Sequence, residues 1–191
     1  MTRLHRSANR MTLPRLRGLA PMLALAFAVA AGLATAAGAT SLKDLQVGIR
    51  GVEFLTEPPR GQVPVAIIQD SQNKASQQDA HAIIGWLAGM SRSAKVEFVP
   101  VVVDARDLDT APQYRVAIVA GGVDAHFVKV LDYARRHGTL TITADISCVR
   151  SGNCVLGVAT EPSVEVVVSR QASLACGVDF VRAFRMMVKE Y

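Results

Sequence analysis

Cysteine is scarce in this chain: there are three among 191 residues, at 148, 154 and 176, and none lies between residues 40 and 147. Two of them bracket the stretch CVRSGNC. A structural zinc site needs about four ligands with cysteine pairs two to four residues apart, and this loop holds no histidine, so a metal centre is excluded there. A thiol oxidoreductase pair with two intervening residues is excluded too. Also missing are a Gly-x-Ser-x-Gly elbow, a phosphate-cradling glycine-rich loop and a His-Glu-x-x-His helix. Aromatic residues make up only 5% of the sequence, and no basic cluster interleaves with them, which argues against nucleic acid as a partner. The chain has no internal repeat, low-complexity tract or long linker. No cofactor site is expected.

What is there begins with charge of one sign. Arg3, Arg6, Arg10, Arg15 and Arg17 occur without an acidic neighbour, and an uncharged run follows from Leu19 to Ala39. This is the pattern of a secretory signal peptide over residues 1–39, with small residues placed for cleavage at Ala37-Gly38-Ala39 or at Ala34-Thr35-Ala36. A chain beginning at Thr40 is favoured. The alanine-rich, glycine-dotted end argues against an uncleaved anchor helix. No cysteine at the junction offers a lipid anchor, and no Arg-Arg pair suggests twin-arginine export. Without the five arginines, Lys plus Arg falls from 21 to 16 and equals Asp plus Glu at 16, so the exported protein would be formally neutral. The expected location is the periplasm. About 150 residues remain, enough for one domain with one core (40–191) and too few for two lobes around a cleft.

Leu42 to Leu55 has helical spacing, weakened by Gly48 and Gly51, and stops at Pro58-Pro59. VPVAIIQD (63–70) reads as a buried strand and Ala75 to Met90 as a helix. VEFVPVVVD (96–104) and YRVAIVAGG (114–122) are strands, Asp124 to Gly138 a helix with its cap, and LTITAD (140–145) another strand. CVLGVAT and VEVVVS flank Glu161-Pro162-Ser163 as an antiparallel hairpin. Val181, Phe184, Val188 and Tyr191 predict an amphipathic helix at the end. Strands alternating with helices predict a single compact α/β domain: a mostly parallel sheet flanked by helices, with a C-terminal antiparallel hairpin and terminal helix.

In an oxidising compartment Cys148 and Cys154 are expected to be bonded to each other. Gly152 and Asn153 suit so tight a ring, and closing it is worth about 2 kcal/mol. Cys176, among Leu174, Ala175 and Val178, is expected to be a free core residue. His81, His126 and His137 lie apart on helical segments. Gly121-Gly122 can serve a close ligand approach or a tight turn, and the turn is favoured. Asp104 and Asp145 end strands where open α/β sheets bind ligands, although such aspartates more often cap the next segment. These residues do not call for an enzyme.

The stretch TLTITADISCVRSGNCVLGVATEPSVEVVVSRQASLACGVDFVRAFRMMV (139–188) resembles the C-terminal half of the YfiR-like family of bacterial periplasmic proteins, and VGIRGVEFLTEPPRGQVPVAII is similar to that family's opening helix and first strand. Phe54 and Pro58 match its Phe-x-x-Trp-Pro close, while Glu57 replaces the aromatic. The resemblance implies a small α/β domain without catalytic groups that binds the periplasmic sensor region of an inner-membrane diguanylate cyclase and represses it. Cys148 and Cys154 fall where some members carry a disulfide; a second disulfide found in some members has no counterpart. A homodimer is left open. The competing expectation is a ligand-binding module, because residues 63–87 followed by the next two strands look like one lobe of a periplasmic solute-binding protein.

Overall fold

The computed structural model describes residues 39–90 and 96–191. The signal-peptide expectation, apart from Ala39, lies outside them. Among the described residues six α-helices and seven strands follow in the order α1 (Leu42–Val52), β1 (Gly61–Gln69), α2 (Lys74–Met90), β2 (Val96–Asp104), β3 (Val116–Val119), α3 (Phe127–His137), β4 (Leu140–Thr143), α4 (Ile146–Arg150), β5 (Leu156–Ala159), β6 (Glu165–Val168), α5 (Arg170–Cys176), α6 (Arg182–Arg185) and β7 (Lys189–Glu190). All strands belong to one sheet ordered β2-β1-β3-β4-β5-β6-β7. β2, β1, β3, β4 and β5 run parallel; β6 pairs antiparallel with β5, and β7 lies parallel to β6. This is the expected single α/β domain.

Residues alternate between two cores because a strand's side chains alternate between its faces. On one face Val63, Val65 and Ile67 of β1 meet Val116 and Ile118 of β3, together with Leu45 of α1 and Ile83 and Leu87 of α2. On the other, Ala66 and Ile68 meet Ala117 and Val119 and are covered by Val130 and Tyr133 of α3 and by Val149 of α4. The central strands β3 and β4 are buried along their whole length, as a sheet covered on both faces requires. β2 has one partner, β1. Pro100 has no N–H to give, and a proline in an edge strand makes the open side a poorer template for another chain.

Two helices are additional to those expected from sequence. Asp145 accepts from the Ser147 N–H to start α4, and Ser169 accepts from Ala172 N–H to start α5, which Gly177 ends with φ 63°. The terminal helix is shorter than expected. Only Arg182–Arg185 are helical, and the chain then turns to pair Lys189 and Glu190 with Val167 and Val168 of β6. The unpaired edge of β6 offers a ladder that outweighs one more turn of exposed helix.

Candidate functional site

Open α/β sheets bind ligands at the carboxyl ends of their strands, at the point where strand order reverses. Here that point lies between β1 and β3, and the sequence puts Asp70 and Gly121-Gly122 there. The glycine turn there is bonded within the chain. Gly121 N–H donates to Asp79 Oδ2 at 2.7 Å, and Asn73 Nδ2 donates to the Gly122 carbonyl at 3.0 Å. Gly122 has φ 74°, and a Cβ there would stand 2.6 Å from Asn73 Nδ2. The glycine pair therefore forms a close turn against α2, the favoured expectation.

The strand-end aspartates are similarly engaged. Asp104 takes Arg106 Nη2 at 2.9 Å and Nε at 3.0 Å, and these bonds hold its carboxyl well below the usual range. Arg106 reaches on to the Ser71 hydroxyl. Asp145 caps α4 through Ser147. His126 Nε2 stands 3.7 Å from Asp70 Oδ2 at the rim, His81 is exposed on α2, and the His137 ring lies 4.7 Å from that of Tyr133. The structure does not bring these histidines together. Among the described residues no group of three or more acidic, histidine or cysteine side chains could hold a metal ion.

The sulfurs of Cys148 and Cys154 are bonded at 1.97 Å, with their Cα atoms 5.3 Å apart. The ring is more ordered than a loop: Cys148 belongs to α4, and its carbonyl accepts from both Asn153 and Cys154 N–H. Both cysteines are fully buried in the core beneath α4, so reductant reaches the bond only through an opening of the fold. Gly152, at φ 76°, faces Gln171 of α5. The bond precedes β5, an interior strand, and does not guard a sheet edge. Cys176 is free and buried, and burial pushes its thiol up to about 11.

A different surface is open. Leu174 of α5 is 78% exposed, Met186 77% and Met187 68%, and Val181 is exposed beside them in sequence. Leu174 lines a groove of about 210 Å3 with Val168, Phe180 and Arg185. Val181 and Met186 line a second, of about 490 Å3, that shares Asp179, Phe180, Arg185 and Glu190 with the first. Phe180 and Phe184 pack at 4.9 Å, and Phe184 stacks on Phe54 at 4.9 Å, which ties this end to α1. Glu190 accepts from Arg170 at 2.6 Å and from Arg185 at 2.9 Å, bonds that lower its pKa. The result is an apolar floor with a rim of both charges. Sequence reasoning missed it because a continuous terminal helix would have turned Val181 and Phe184 to one side.

The fold is shared with solved structures of low sequence identity. An ABC domain in complex with L-Trp from Streptococcus pneumonia superposes with a TM-score of 0.55 at 9% identity, covering 77% of this chain and 60% of that one. A conserved domain protein from Vibrio cholerae O1 biovar eltor matches with 0.54 at 12% identity, covering 78% and 59%. The chain thus spans about 60% of each neighbour's length, and at such identities the likeness is one of fold. No family model matches the sequence, and no curated protein does.

Proposed function

We propose that the protein is an exported regulator without catalytic activity of its own, acting by binding the periplasmic sensor region of an inner-membrane diguanylate cyclase and holding it inactive. The observation that carries this reading is the exposed set Leu174, Val181 and Met186 lining the two grooves. Apolar side chains grouped within a charged rim mark protein-binding surfaces, and methionine adapts to an uneven partner. The internal bonding of Gly121 and Gly122 supports it further, since the turn at the usual ligand crevice gives its polar groups to Asp79 and Asn73. The resemblance of residues 139–188 to the YfiR-like family supports the choice of partner class. Replacing Leu174 and Met186 together by Asp should leave the thermal midpoint within about 3 °C of the parent, because both side chains are exposed. The same change should raise cellular cyclic di-GMP as far as gene deletion does. Unchanged cyclic di-GMP after deletion would sink the regulator.

A second reading has one observation in its favour. The neighbour solved with L-Trp shares the fold, and the groove under Leu174 and Phe180 combines an apolar floor with Arg170, Arg185 and Glu190, groups that match a zwitterion. Titration calorimetry with L-Trp and other free amino acids separates the two: micromolar binding, abolished by Arg185→Ala, moves small-ligand binding ahead.

A further inference from the structure

Asp79 on α2 is 7% exposed and Thr40, just before α1, is 8% exposed. Thr40 N donates to Asp79 Oδ1 at 2.8 Å, Thr40 Oγ1 to Oδ2 at 2.9 Å, and Gly121 N to Oδ2 at 2.7 Å. All three donors are neutral. Burial and the nearby Asp44 charge both disfavour the ionised form of Asp79, and burial outweighs the hydrogen bonds. A buried carboxylate without a cation is costly, and a positive charge at an existing donor would relieve that cost. Thr40 N is also the atom that would become a chain terminus at one of the two cleavage points in the sequence. Ala39 is exposed, and Ala37 and Ala39 are the small residues a signal peptidase requires.

We propose that the Ala39–Thr40 bond is a processing site and that the α-ammonium released on Thr40 is the counter-ion of Asp79. In the cleavage, water adds its hydroxyl to the Ala39 carbonyl carbon and a proton to Thr40 N. The new amine, with an ordinary pKa of about 7.7 to 8.0, takes up a further proton at neutral pH. The nitrogen already stands at bonding distance, so an amide hydrogen bond becomes an ion pair without rearrangement. Cleavage before Ala37 leaves Thr40 N an amide and the carboxylate unpaired. Maturation is thereby coupled to stability: the processed chain folds more firmly than the same chain with a few residues still attached. This rests on the export part of the proposed function and not on the cyclase part.

The test uses protein starting at Thr40 and protein starting at Ala37, each released from a removable tag that leaves no extra residue, with Asp79→Asn in both backgrounds. Urea unfolding is followed at pH 6.5 and pH 9.5. The ammonium has a raised pKa in the folded state, so its contribution is complete below about pH 8 and is lost as pH rises through the folded value. Asp44, from α1, has its pKa lowered and stays ionised across this range, and the Gly121 N–H from the turn after β3 does not titrate. At pH 6.5 the Thr40 form should show an unfolding constant about tenfold smaller than the Ala37 form, corresponding to one pKa unit. The difference should shrink at pH 9.5 and vanish with Asp79→Asn. If the Asn variants do not fold, NMR titration of the 15N-labelled Thr40 amine decides: a pKa above that of a free α-amine is expected, and an ordinary one overturns the pair. Equal unfolding of the two parents at pH 6.5 overturns it as well. Intact mass of the protein from the periplasm must begin at Thr40. A start at Ala37 refutes the processing site even if the pair forms in vitro, and neither result bears on the cyclic di-GMP assay.

Discussion

Asp44 and Asp79 are both buried, yet their surroundings push them in opposite directions. Burial raises Asp44, but bonds from Ser41 and Thr160 outweigh it and hold the carboxyl below its usual value; Thr160 N and Oγ1 stand 2.8 and 2.7 Å from Oδ1. A lowered folded pKa means stability that is present above the ordinary carboxylate range and lost as pH falls through the folded value. Acid unfolding should therefore steepen below about pH 4, and Asp44→Ala should flatten that limb while costing about 1 to 3 kcal/mol near neutrality, measured by urea titration at several pH values. Gly122→Ala should cost a similar amount, about 1 to 3 kcal/mol, because the left-handed backbone and Asn73 both oppose a Cβ. At this scale the sequence was legible where bonding is local. The Cys148–Cys154 ring and the Asp145 cap could be read from neighbouring residues, whereas the Asp44–Thr160 bond, spanning 116 positions, and the Asp79–Gly121 bond, spanning 42, leave no mark in any local window.

Among the elements, α1 shows what periodicity misses. Gly48 and Gly51 count against a helix by propensity. In the fold they let α1 press onto the sheet: a Cβ at Gly48 would stand 2.7 Å from Ile142 Cγ2, and one at Gly51 2.7 Å from Leu156 Cδ2. Gly48→Ala, which would gain up to about 1 kcal/mol in an isolated helix, should instead destabilise the protein by about 1 to 3 kcal/mol through overpacking, visible as a lower thermal midpoint. The terminal helix stops short of Tyr191 for a related reason. Val181, Phe184, Val188 and Tyr191 have helical spacing, but the exposed ladder of β6 and the Arg170 and Arg185 bonds to Glu190 draw the chain into β7. Short capped helices such as α4 and α5 carry too few residues for a periodic signal.

For the whole molecule, the buried disulfide adds to a core that both helix layers already close. Replacing Cys148 and Cys154 together by Ala should lower stability by about 2 kcal/mol and leave the far-ultraviolet circular dichroism unchanged. Thiol titration of the native protein should find Cys176 unreactive near neutral pH; unfolding should release one thiol without reductant and three with it. The alternating strands and helices made this architecture readable in advance. The open grooves at the end of the chain arise from how α5, α6 and β7 meet, and only their packing reveals them.

The bond from Asp44 to Thr160 also orders events in time. In the export proposed above the chain emerges from its N-terminus, so α1 arrives about a hundred residues before the strand that seats it. β1, β2 and β3 can pair while α1 still lacks β5 beneath it, and Leu45 and Val52 then have no complete core to enter. A chain truncated before residue 155 should present α1 to proteases and to chaperones that hold apolar segments, and one extending beyond Val168 should protect it. Limited proteolysis of purified chains truncated at increasing length would place the point at which the first helix is secured.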